Sequence, residues 1–118
     1  MNEAPRARSG AVNSGVTAPG ANRREHPRRP CRYQAMCRSG GRAWWPVVFV
    51  DVSLGGAGII LSSPIETGAA VSFTVHTPHG RVLQLHARVR RIEPREFDWL
   101  AGCEFERLLT EAEFADLV

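Results

Sequence analysis

Much of this chain is written in a period of two. Val71, Phe73 and Val75 alternate with Ser72, Thr74 and His76. Leu83, Leu85, Ala87 and Val89 alternate with Gln84, His86, Arg88 and Arg90, and Ala101, Cys103 and Phe105 with Gly102 and Glu104. Successive side chains of an extended strand point to opposite faces, so each segment has one face to bury and one to wet. Upstream, Arg42 to Asp51 is aromatic and β-branched (Trp44, Trp45, Val47, Val48, Phe49, Val50), the strongest strand in the chain. Ser53-Leu54-Gly55-Gly56 punctuates it, and Ala57 to Leu61 returns as a third strand. Cys31 to Arg38, short and mixed, supplies the first, and His76 to Gly80 (HTPHG) reads as a turn.

The chain ends differently. Thr110 and Glu113 have the spacing of a capping box, in which the hydroxyl takes the third helical amide and the glutamate reaches back to the cap. Leu109, Phe114 and Leu117 can then pack a short helix onto the strands. Six short strands leave exposed edges unless the sheet closes. The expected fold is therefore all-β: a small six-stranded antiparallel β-barrel with a flexible N-terminal arm and a short C-terminal helix.

Length and charge set the organisation. The chain has 118 residues, which allows one domain, and 43% of them are apolar, enough for a core. Residues 1–22 are rich in Gly, Pro, Ser, Asn and Ala without periodicity and read as a flexible tail. The arginine-dense stretch RREHPRR follows at 23–29, and residues 23–118 form the expected domain. All 15 basic residues are arginine, and the net charge is +3. That figure hides an asymmetry. Residues 1–45 hold nine arginines against Glu3 and Glu25 (9 − 2 = +7), whereas residues 46–118 hold six against ten acids (6 − 10 = −4). Positive charge gathered in the first third points to an anionic partner there.

Several classes are disfavoured. The longest apolar run, Ala43 to Val50, is eight residues and contains Pro46, well short of the roughly 18–20 needed to span a bilayer. Arg6 and Arg8 have no apolar block behind them, so no secretory signal is read. Three cysteines, Cys31, Cys37 and Cys103, are too few for a disulfide scaffold, and a reduced, cytoplasmic protein is the expectation.

Two clusters carry candidate chemistry. Arg24 and Arg28 lie four apart with Arg23 and Arg29 beside them, so forked guanidinium groups can converge on phosphate oxygens or stack on a purine. The second cluster is Asp51-Val52-Ser53-Leu54-Gly55-Gly56, of the form Asp-x-Ser-x-x-Gly, at the end of the strongest strand. An ionised carboxylate there accepts two hydrogen bonds from the ring N–H and amino group of a guanine. Ser53 can donate to a base or phosphate, and Gly56 lets a ligand approach or supplies a positive φ. Asp, Ser and Gly are also ordinary turn residues, and the same six residues serve equally as a plain chain reversal.

An arginine pair before the first strand, Asp-x-Ser-x-x-Gly after the second, and Gly-x-x-Phe (Gly102 to Phe105) in the sixth together resemble the PilZ domain, over residues 23 to about 107. The resemblance implies a bacterial receptor for cyclic di-GMP that is not an enzyme, carries no cofactor or metal, and signals to a downstream protein partner. It would place Arg24 and Arg28 on phosphates and guanine, Asp51 and Ser53 on the guanine edge, and Gly55 and Gly56 in the turn that lets the ligand close in. Arg23, just before the pair, is associated in that family with a stacked, intercalated ligand dimer. On this reading ligand binding docks residues 23–30 against the barrel.

Other readings make different demands. A single-stranded nucleic-acid-binding barrel would use Arg88, Arg90 and Arg91 as a phosphate track and stack bases on Trp44 or Trp45. The net −4 of residues 46–118 opposes it, and aromatics inside an apolar run favour core. A metal site would draw on Cys31, Cys37, His76 and His79, whose spacings match no zinc module. His86 on a polar strand face has no local nucleophile to serve as base. A ligand-free adaptor with the same fold would be expected to lack the arginines or the Asp and Ser, which this chain keeps.

Overall fold

The structure, a computed structural model, describes residues 26–118. Six strands follow in order: β1 (Arg29–Arg38), β2 (Trp45–Val52), β3 (Gly56–Leu61), β4 (Ala70–His76), β5 (Val82–Pro94) and β6 (Trp99–Phe105). One helix, α1 (Glu111–Leu117), ends the chain. The strands close into a barrel in the order β1-β2-β3-β6-β5-β4, every neighbouring pair antiparallel. Closure through β1 and β4 removes the edges that an open sheet would expose.

The period of two sorts the side chains. Val71, Phe73 and Val75 of β4, Leu85, Ala87 and Val89 of β5, and Ala101, Cys103 and Phe105 of β6 are buried inside. Val47, Phe49 and Val52 of β2 join them. Phe49 sits at the centre, edge-on to Phe73 with ring centroids 5.1 Å apart and stacked on Tyr33 at 5.6 Å. Each fully buried Val, Leu or Phe contributes about 1.5–3 kcal/mol of hydrophobic stabilisation, and this row is what holds the sheet closed.

The capping box forms as expected. Thr110 Oγ1 accepts from Glu113 N at 3.0 Å, and Glu113 Oε1 accepts from Thr110 N at 2.9 Å. Leu109 and Leu117 are buried against the barrel core, with Phe114 half-buried beside them.

Three boundaries differ from the sequence expectation. β1 begins at Arg29, two residues before the expected Cys31, and so takes in the last residue of the arginine-dense stretch 23–29. β5 runs on to Pro94, past Arg90 where the alternation stops, because a register shift between Val89 and Arg91 lets pairing continue out of phase. Trp44 lies outside β2 and outside the core: it is 37% exposed, with the Arg38 guanidinium 4.7 Å from its ring centroid. Trp45 is half-buried and packs on the core.

A candidate ligand site on a floor of glycines

The expected tail 1–22, and with it Arg23 and Arg24, lies outside the described residues. Arg28 is described, and its place is informative. Its Nη1 donates to Oδ1 of Asp51. Both side chains are one-third exposed. Arg29 and Pro30 already belong to the barrel, Pro30 opposite Asp51. The C-terminal part of the expected arm is thus docked in this structure, in contrast to the docking of residues 23–30 expected on ligand binding.

Asp51 reaches the outer face through a break in the pattern. Phe49 is fully buried opposite Ile59, and strict alternation would turn residue 51 inward as well. Instead Asp51 pairs with Gly58 while Phe49 pairs with Ile59, so β2 spends one extra residue there. Such a bulge re-aims the side chain that follows it. Val52 returns to the interior opposite Ala57.

Gly58 is then the residue beneath the carboxylate. Its N–H donates to Asp51 Oδ1 at 3.0 Å, and a Cβ built on it would lie 2.9 Å from Oδ2 and 3.1 Å from Oδ1. No real Cβ tolerates the shorter distance, so glycine is what lets the carboxylate lie flat on the sheet. Both of the bonds described for Asp51 fall on Oδ1. Among the described residues Oδ2 accepts none, which leaves an acceptor aimed outward.

Ser53 is placed differently from the expectation that it donates to a ligand. It is fully buried. Its hydroxyl accepts from the amides of Gly55 and Gly56, both at 3.2 Å, and lies 3.4 Å from Gly56 O. Its own amide donates to Gly56 O at 2.8 Å. These are the bonds of a serine-capped turn. Positive φ angles occur at Gly40, Gly68 and Gly80, not at Gly56. Gly55 and Gly56 are buried, and the carbonyls of Leu54 and Gly55 accept from Leu109 N at 2.8 Å and Phe105 N at 2.9 Å. The turn is therefore pinned from outside by β6 and the segment leading to α1. Its contribution is to hold Asp51 and Gly58 in register.

Burial pushes up the pKa of the Cys31 thiol, on β1 beside this site, and the Asp51 charge adds to the rise. No group of three potential metal ligands occurs among the described residues. His86 pairs with Ser72 at 3.0 Å on the outer face. Two grooves lie elsewhere: one of about 370 Å³ beside Trp44, Trp45 and Pro64, the other of about 330 Å³ beside His86, Phe105 and Arg107.

Gly58 is the residue that reading the chain as a string missed. The available signal was a second glycine two positions after Gly56, inside a strand.

Comparison with known proteins follows the same lines. The barrel is similar to the Bacillus subtilis inhibitor of motility MotI/DgrA, with a TM-score of 0.65 at 20% identity, covering 80% of this chain. This chain spans 47% of that structure's length. No curated protein matches the sequence at a significant level. No described helix is long and apolar enough to cross a membrane. The family profile of the PilZ domain matches residues 22–118, the whole of the described barrel and helix, and the chain belongs to the PilZ domain family.

Proposed function

We propose that this protein is a receptor for cyclic di-GMP, the ligand with which its family is associated, and that it binds on the Asp51 face and signals to a protein partner. The observation that carries the reading is the Asp51 carboxylate. It is turned outward by a bulge, laid on a glycine, bridged to Arg28, and left with Oδ2 open among the described residues. A guanine presents a ring N–H and an amino group on one edge, the two donors that an acceptor-only carboxylate matches. Arg28 at the same point supplies a forked cation for a phosphate or a base plane. Arg24, four residues earlier in the sequence, and Arg23 beside it would add positive charge for a dianion. Gly55 and Gly56 act through the turn that Ser53 closes.

The Arg28–Asp51 pair gives the switch its form. A ligand phosphate competes with Asp51 for Arg28, while the guanine edge takes Asp51's acceptors. Binding thus exchanges an internal ion pair for two ligand contacts and reorders the chain just before β1. The new surface so formed is what a partner would read. The solved neighbour is named as an inhibitor of motility, a regulatory output of this general kind.

Calorimetric titration of the full chain with cyclic di-GMP tests the reading, with GTP and a short oligonucleotide as controls. Selective binding of cyclic di-GMP is expected, and two ligands per chain would bear out the role given to Arg23. Salt-sensitive binding of arbitrary oligonucleotides instead would move the barrel to the single-stranded nucleic-acid class. A folded protein with no response to either ligand would be an adaptor.

A further inference from the structure

The glycine floor extends one strand beyond Asp51's reach. Gly58 of β3 pairs with Gly102 of β6, so two glycines sit side by side on the outer wall. The residues flanking them, Ala57 and Ile59, Ala101 and Cys103, all point into the core. On the far side of the pair, Arg91 of β5 opposes Gly102. The row therefore reads Asp51, Gly58, Gly102, Arg91 across four adjacent strands, about 14 Å from end to end at the usual strand spacing.

The two ends of this row are built alike. Val89 pairs with Cys103 and Arg91 with Gly102, so β5 also spends one extra residue opposite a glycine. Without that bulge, residue 91 would follow Val89 into the core. With it, Arg91 is exposed and lies across Gly102: a Cβ there would sit 3.0 Å from Arg91 Nε and 3.2 Å from its Cγ. Two bulges, facing two neighbouring glycines, thus lay a carboxylate over Gly58 and a guanidinium stem over Gly102, side by side on the outer wall. Bulges gather next to binding sites because they re-aim side chains in this way.

Arg91 also differs from the arginines around it. Arg90 is tied to Glu104 at 2.6 Å, and Arg88 donates to Gly68 O at 2.9 Å. Among the described residues Arg91 has no hydrogen bond or ion pair. Asp51 Oδ2 is open on the same terms.

We infer that Arg91 is a binding residue of the same site, whose planar guanidinium takes the O6/N7 edge of the guanine whose N–H edge faces Asp51. This rests on the cyclic di-GMP reading. The chemistry is complementary: a guanine carries two acceptors on one edge and two donors on the next, and a forked donor matches the first as a carboxylate matches the second. Because neither glycine carries a side chain, the Asp51 carboxylate over Gly58 and the Arg91 guanidinium over Gly102 lie next to each other, as the adjoining edges of one guanine approaching from solvent require.

The test is titration of the full-length wild type, Arg91→Ala, Arg91→Lys and Gly102→Ala with cyclic di-GMP. Arg81→Ala serves as the charge control, since Arg81 pairs with Asp116 away from the row. Arg91→Ala should weaken binding roughly tenfold or more, the range of one forked base contact. Arg91→Lys should not restore it, because an ammonium keeps the charge and loses the fork. Gly102→Ala, which displaces Arg91 without removing it, should weaken binding in the same direction. Wild-type affinity in Arg91→Ala, or full rescue by lysine, would overturn the inference while leaving the receptor reading standing. Failure of the wild type to bind would overturn the receptor reading, and this assignment with it.

Discussion

Two of the arginine–carboxylate pairs on the surface of this barrel are finished differently. Beside α1, Arg107 grips Glu113 with two parallel bonds of 2.9 and 2.8 Å, and Glu113 Oε1 also takes the Thr110 amide. Both carboxylate oxygens are occupied. At the Asp51 face, Arg28 and the Gly58 amide share Oδ1, and Oδ2 accepts nothing among the described residues. The first pair closes a helix end with local contacts. The second lies on glycine, outside a bulge, beside an exposed arginine that covers the neighbouring glycine. The same chemistry is saturated where it holds the fold together and unsaturated at the proposed ligand site.

Substitutions should separate the two pairs. The largest effect is expected from Asp51→Ala, which should weaken cyclic di-GMP binding on the order of 100-fold, the equivalent of about 3 kcal/mol for hydrogen bonds to a charged group. Glu113→Ala should leave affinity unchanged by the same calorimetry. An equal loss in both variants would erase the distinction between the pairs.

Gly58→Ala sharpens the comparison with one methyl group. Its Cβ would push the Asp51 carboxylate off the sheet, so affinity should fall roughly tenfold, about the worth of one hydrogen bond to a charged group, with the barrel still folded by circular dichroism. At the other region, Thr110→Ala should lower stability by about 1 kcal/mol in urea denaturation, the usual worth of an N-cap, without moving ligand affinity.

The smallest effect is a pH dependence. The hydrogen bonds from Arg107 and then from Thr110 hold the Glu113 carboxyl down at about 2, against an ordinary 4.5. A carboxyl with a lowered pKa stabilises the fold above its unfolded value, and the contribution is lost as pH falls through the folded one. Wild type should therefore exceed Glu113→Gln in stability at neutral pH by less than about 1 kcal/mol, given the pair's exposure, with the gap closing between pH 4.5 and 2. A gap that persists at pH 2 would assign the difference to packing.

The pattern of what was legible follows from periodicity. β4, most of β5 and β6 alternate strictly, and alternation is a local property that a string of letters carries. The capping box is equally local, four residues with two reciprocal bonds. The bulges are not. Asp51 and Arg91 face outward because each strand gains a residue against a partner more than five positions away in sequence. Arg90 and Arg91 look like the place where β5's alternation fails, whereas the strand continues through them to Pro94. Gly58 and Gly102 acquire meaning only once pairing sets them side by side. Ser53 shows the turn role that its letter also allowed: it is buried, and its hydroxyl takes the Gly55 and Gly56 amides.

The most direct test of the account is to map the ligand on the barrel by amide chemical-shift perturbation in the full-length protein. Titration with cyclic di-GMP should move the Gly58 and Gly102 amides most, with Asp51 beside them, and leave Glu111 to Leu117 almost still. Shifts centred on the groove at Trp44 and Trp45, or an unperturbed glycine pair in a protein that binds the ligand, would contradict it.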